Sequence, residues 1–203
     1  MPVAILAVGG GLGVLSVLGE GSFRALTILV NLASPWAFGA FMVGRLASSP
    51  KLGALAGGLT LVVGMATFYG LTVVGPYTHS LREVVWTVGA VLVGPVMGMS
   101  GAVLSSGQVR WREAAIVIPS AILLAEALWI GWDRRVWVWN LRLEPQRLND
   151  LVILVGFIAL AFAFPLLFMR NGGPLLKLYL ATVVAGAIGA GGFASLQWIL
   201  LHV

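Results

Sequence analysis

Long apolar runs alternate with short polar breaks along the whole chain. Seven runs stand out, at roughly 2–19, 25–47, 52–74, 84–105, 113–131, 150–169 and 175–201. Each supplies or nearly supplies the ~20 apolar residues a helix needs to cross the hydrocarbon layer. The breaks carry charge, Pro or Gly: Glu20 to Arg24, Arg45 to Lys51, Gly75 to Glu83, Ser105 to Arg112, Trp132 to Asn149, and Arg170 to Pro174. The last is the sharpest. Arg170 suits a final helical turn, Asn171-Gly172-Gly173 stops a helix, and Pro174 suits the first turn of the next. The pattern predicts an all-α, polytopic integral membrane bundle, a single transmembrane domain over residues 1–203 with seven transmembrane helices. Six is the alternative if residues 1–47 are arranged differently. Met-Pro-Val-Ala-Ile lacks the basic start of a signal peptide, so residues 2–19 read as a retained first span.

The second run is interrupted. Ser34-Pro35 reads like a helix start, with Ser as N-cap and Pro at the first helical position. Residues 22–33 are then a short interfacial or re-entrant helix and 34–47 a short span. A Pro-kinked continuous helix is the equal alternative, because Pro is common in membrane helices. The long break from Trp132 to Asn149 gathers Trp132, Trp137 and Trp139 behind Trp129. Trp favours the membrane–water boundary, so this segment reads as an interfacial belt. A lid over an outward-facing cavity is the sharper alternative.

The second and fourth runs resemble each other fifty residues apart. Trp36-Ala-Phe-Gly39-Ala40-Phe-Met-Val43-Gly44 matches Trp86-Thr-Val-Gly89-Ala90-Val-Leu-Val93-Gly94 at five of nine positions. A duplicated hairpin, 34–74 against 84–131, accounts for this, and so does chance in a chain rich in Gly, Ala and Val. Small residues also recur four apart, at Gly9 and Gly13, Gly53 and Gly57, Gly94 and Gly98, and Ala187 and Gly191. Such pairs share a helix face and let backbones approach. They serve packing within the chain or a subunit interface.

Composition narrows the classes. Only 9% of residues are charged and 60% are hydrophobic, with mean hydropathy +1.02. Soluble domains carry about 25% charged residues, and disorder needs the opposite balance. There is no Cys, which removes disulfides and thiolate chemistry. His79 and His202 are too far apart in sequence to suggest a metal cluster, and no cofactor is expected. The net charge of +5 comes from basic residues scattered over the breaks, which argues against a nucleic-acid partner. One side of the predicted bundle collects Arg45, Lys51, Arg110, Arg112, Arg170 and Lys177. The other collects Arg24, Arg82, Arg134, Arg135, Arg142 and Arg147, four of them in one longer loop. The counts tie, but the first set spreads over three short loops. Under the positive-inside rule we therefore expect a multi-pass plasma-membrane protein with a cytoplasmic N-terminus and an external C-terminus.

Few residues offer polar chemistry inside a span. Glu126 lies about 6 Å from its span centre at 1.5 Å per residue. A charge there costs roughly 2.5–3.5 kcal/mol on insertion scales, so such a group is either functional or hydrogen-bonded to a neighbouring helix. Asn31 precedes the Ser34-Pro35 break, where unwound backbone lines a cavity or Asn31 merely caps a helix. Trp36, Tyr69 and Trp86 are either an aromatic wall for a ligand or interfacial anchors. Glu126, Asn31, Trp36, Tyr69 and Trp86 are the candidate ligand-binding residues. No Gly-X-Ser-X-Gly elbow, His-Glu-X-X-His pair or Walker loop occurs, and no catalytic residue is assigned.

Asn31-Leu-Ala-Ser-Pro-Trp36, Gly39-Ala40-Phe41, Gly53-Ala-Leu-Ala-Gly57, Tyr69, Gly94-Pro95 and Ala125-Glu126-Ala127 together carry a resemblance. The chain resembles a family of small prokaryotic polytopic membrane proteins grouped as a domain of unknown function. The resemblance implies an architecture and no activity. In size and Gly/Ala content the chain also looks like the substrate-binding membrane subunits of energy-coupling vitamin transporters, which usually have six spans. Three functions follow in order. The first is binding or transport of a small, largely apolar molecule or ion. The second is a non-catalytic subunit of a larger membrane complex, or a homo-oligomer. The third is a small intramembrane enzyme using Glu126.

Overall fold

The computed structural model describes residues 1–20, 32–72, 81–107, 109–133, 145–169 and 174–202. Among the described residues there are seven helices and no strand: α1 Pro2–Glu20, α2 Ala33–Gly44, α3 Pro50–Thr72, α4 Leu81–Ser106, α5 Arg112–Asp133, α6 Pro145–Phe168 and α7 Leu175–His202. All but α2 are long and apolar enough to cross a membrane. These are the helices of a multi-pass membrane protein. The chain divides into two compact units, Met1–Ala115 and Ile116–Val203.

The breaks act through ordinary end chemistry. Ser49 caps α3: its hydroxyl accepts from the Leu52 amide at 3.3 Å, and Pro50 occupies the first helical position. Gly107 ends α4 at φ +72°, a left-handed conformation that costs a side chain energy. Pro2, Pro145 and Pro174 stand at the starts of α1, α6 and α7, where a missing amide proton costs nothing.

The interrupted second run resolves as a break. α2 begins at Ala33, and Leu32 before it is extended at φ −86° and ψ 148°. The start is not the expected one. Leu32, not Ser34, holds the N-cap position, without a side-chain hydrogen bond, and Pro35 falls in the third helical position. Pro is tolerated there because the first four amides have no partner inside a helix. The Ser-Pro signature operates instead at Ser49-Pro50. At 1.5 Å per residue the 12-residue α2 is about 18 Å long, short of the ~30 Å hydrocarbon layer. The matching segment of α4 lies in a 26-residue helix, so the two segments of the proposed repeat are not equivalent elements.

In the first unit, glycines set the helix registers. A Cβ on Gly9 would fall 3.1 Å from Val63 Cβ, and one on Gly13 would fall 2.6 Å from the Gly64 carbonyl oxygen. Both numbers rise together, so α1 and α3 run parallel. A Cβ on Gly57 would lie 2.7 Å from Gly98 Cα, and one on Gly53 would lie 2.5 Å from Ala102 Cβ. Here one number rises as the other falls, so α3 and α4 are antiparallel. α2 runs against α3, because the Trp36 ring meets Gly64 near its start while Val43 packs with Ala56 and Ile5 near its end. The return between α1 and α3 thus falls within residues 21–49, and α2 is its described part. Lipid tails are as apolar as Leu, so these helices associate by close van der Waals contact, which absent side chains allow.

In the second unit, α5 meets α7 where a Cβ on Gly186 would lie 2.9 Å from Leu124 Cδ2 and one on Gly189 would lie 2.8 Å from Ala125 Cβ. Phe162 of α6 packs on Tyr179 of α7 with ring centroids 5.5 Å apart. The described stretch of α6 buries Asp150, Leu154, Phe157, Ala161 and Phe164, a stripe at helical spacing.

Candidate functional site

The site in the first unit is built around the start of α2. Leu32 is buried although extended, and Ser34 and Ala37 behind it are buried too. The helix therefore starts inside the protein, one turn before Trp36, whose ring abuts Gly64 past the midpoint of α3. A helix start presents amide protons without intrahelical partners and the positive end of the helix dipole. In a membrane, non-helical backbone is tolerated only where protein buries it or a cavity solvates it.

The three aromatic candidates share that level. The Trp36 ring abuts Gly64, where a Cβ would lie 2.7 Å from the ring. Tyr69 lies five residues further along α3 and packs edge-on against Phe68, centroids 5.4 Å apart. The α3–α4 register sets Trp86 opposite residues 65–69 of α3, because Gly57 meets Gly94 and Gly98. Trp86 also lies in line with buried Ala90 and Met97 at helical spacing, and is itself 36% exposed. Trp36 and Tyr69 are half-buried. Asn31 lies outside the described residues, as do Arg134 to Glu144 and with them most of the Trp-rich segment. Of that segment, Trp132 ends α5 in an exposed position.

Glu126 belongs to the second unit. It is 2% exposed, in a stretch of α5 where Ala121, Leu123 to Ala127 and Ile130 are all buried. Sequence reasoning found it because it is the lone acid well inside an apolar run. Asp150 and Thr182 are among the buried polar groups it missed. Asp150 reads as a boundary residue until α6 is seen to begin at Pro145, which carries Asp150 into the buried stripe at 6% exposure. Thr182 on α7 is fully buried, and its hydroxyl has no hydrogen-bond partner. The helical hydroxyls of Thr60, Thr67, Ser100 and Ser120 all donate to the carbonyl four residues back, at 2.8 to 2.9 Å. Hydropathy barely separates one Thr from another, so nothing in the sequence marks Thr182. Among the described residues no cluster of His, Asp and Glu is arranged to hold a metal.

Over residues 1–198 the chain matches the model of a family of unknown function, DUF6518. The chain belongs to this family. The match takes in both units and nearly all of α7, so the helical arrangement described above is that of a DUF6518 protein over its whole matched length. No curated protein and no solved structure matches the chain. The likeness to vitamin-transporter subunits therefore rests on size and composition alone, and DUF6518 membership brings no activity with it.

Proposed function

We propose that the protein binds, and in its cellular setting transports, a small, largely apolar molecule or ion within a plasma membrane. The observation that carries this reading is the start of α2. A membrane helix that begins at extended, buried Leu32, one turn before Trp36, turns its positive end toward the protein interior. Broken helices of this kind supply polar contacts for ligands in transporters. Trp36, Tyr69 and Trp86 supply aromatic surface with polar tips in the first unit, and Glu126 is a separate acidic candidate in the second. Mild purification followed by mass spectrometry of retained small molecules tests the reading. A molecule retained by the wild type is expected to be lost at least tenfold, on the order of the loss of one good contact, from Trp36→Leu. Trp198→Leu, at an exposed position of α7, is expected to keep it. Glu126→Gln preserves side-chain shape, and loss of the molecule without loss of the folded protein would make Glu126 a residue that binding requires. Failure of the wild type to retain any molecule overturns the proposal.

A specific observation supports the second reading, a non-catalytic subunit. Ala187, Gly191 and Ser195 follow one another at four-residue spacing on an exposed face of α7, and a Cβ on Gly191 would meet nothing within 4 Å. The other small-residue pairs in this chain face a neighbouring helix. A partner chain co-purifying with the wild type and lost from Gly191→Leu would favour this reading.

A further inference from the structure

We infer that one end of the first unit is a binding surface for anionic phospholipid headgroups of the cytoplasmic leaflet. This rests on different residues from the proposed ligand site. The sequence already assigns Arg45, Lys51, Arg110 and Arg112 to one side of the bundle, and the structure sets them at one end of this unit. Arg45 follows the last residue of α2, Lys51 stands in the first turn of α3, and Arg110 and Arg112 flank Trp111 at the start of α5. These turns share one end of the unit, because Gly53 at the start of α3 faces Ala102 near the end of α4. The amino terminus joins them. α1 runs parallel to α3, and Ile5 packs with Val43 and Ala56, so Met1 lies beyond that layer on the same side. Glu113 is the only carboxylate among the described residues at this end. Four basic side chains and an amino group thus stand against one acid.

The chemistry of the α4–α5 turn identifies the partner. Val109 is 85% exposed and Trp111 56% exposed, and the Arg110 guanidinium lies 5.4 Å from the centre of the Trp111 ring. Indole beside guanidinium suits headgroup depth, where the ring enters the acyl boundary and the cation meets phosphate. Guanidinium matches phosphate geometry with paired N–H groups, and Lys51 adds a mobile point charge. The negative species present at that depth in high density is anionic lipid. Basic groups beside membrane helices concentrate it and hold their loops on the cytoplasmic side.

The test uses the full chain reconstituted in nanodiscs of phosphatidylcholine with 20% phosphatidylglycerol as chosen composition, roughly the anionic share needed to give a sizeable surface potential. Lipids retained after transfer to mild detergent are then counted by native mass spectrometry. Selective retention of phosphatidylglycerol is expected, weakened about fivefold for each charge removed in Lys51→Gln and Arg110→Gln. The charge-preserving pair Lys51→Arg and Arg110→Lys is expected to keep it. Equal retention by wild type and the Gln variants overturns the inference. So does displacement by millimolar inorganic phosphate, which would make the ligand a free anion. The absence of Cys allows a direct test of sidedness. Val109→Cys is expected to resist a membrane-impermeant maleimide in intact cells and to react in inverted vesicles. Reaction in intact cells overturns the cytoplasmic assignment.

Discussion

At the scale of the residue, buried polar groups separate by whether their own helix satisfies them. Thr60 and Ser120 spend their hydroxyl protons on the carbonyl one turn back and can be buried in apolar surroundings at little cost. Thr182 does not, and a buried hydroxyl without a partner costs roughly 1–3 kcal/mol. Thr182→Val, which replaces the hydroxyl by a methyl of similar shape, is therefore expected to stabilise the protein by about 1 kcal/mol. Thermal unfolding in detergent checks this, with Thr60→Val as the comparison that should not gain. A lower midpoint for Thr182→Val would mean that the hydroxyl holds a water or ligand. Glu126 was legible as a site candidate because it breaks an apolar run. Thr182 was not, since its position matters only through the neighbour that covers it.

At the scale of the element, the four small-residue pairs look alike in sequence and differ in the fold. Gly9 and Gly13 meet α3, while Gly53 and Gly57 meet Gly94 and Gly98 across the α3–α4 contact. Ala187 and Gly191 face outward. Gly98→Ala would drive its Cβ to 2.8 Å from Gly57 Cα, and to closer still from the Gly53 carbonyl oxygen, with backbone that has no room to yield. The expected loss is about 3 kcal/mol or more, in the range of severe core overpacking. Gly191→Ala meets nothing and improves helix propensity, for an expected gain of up to ~1 kcal/mol. Unfolding midpoints of the two variants give the contrast. The same lesson applies to Ser-Pro. Ser49-Pro50 forms a capped helix start, whereas Ser34-Pro35 sits inside the first turn of a helix that starts at Ala33. Local sequence marks both as helix starts within a residue or two, and packing sets the boundary.

At the scale of the whole molecule, crossing number follows from direction. α1 and α3 are parallel, so the chain returns between them, and the short α2 belongs to that return. If α3 to α7 each cross once, the N- and C-termini are expected on opposite sides. Alkaline phosphatase fused after Val203 is expected to be active in a bacterial host, and a fluorescent protein fused there is expected to be dark. The reverse pattern would put the C-terminus on the cytoplasmic side and overturn that expectation.

The sequence by itself determined the class of the protein, the positions of its membrane helices to within a few residues, and the lone acid inside a span. Those properties are written in one dimension, because length, hydropathy and end chemistry act locally on the chain. Tertiary structure decided the rest: which glycines touch a neighbour, that α2 is a half-length helix beginning inside the protein, and that Asp150 and Thr182 are buried. Each of these depends on register between helices far apart in sequence. In a chain so rich in Gly, Ala, Val and Leu, many registers look equivalent until the backbones are in contact.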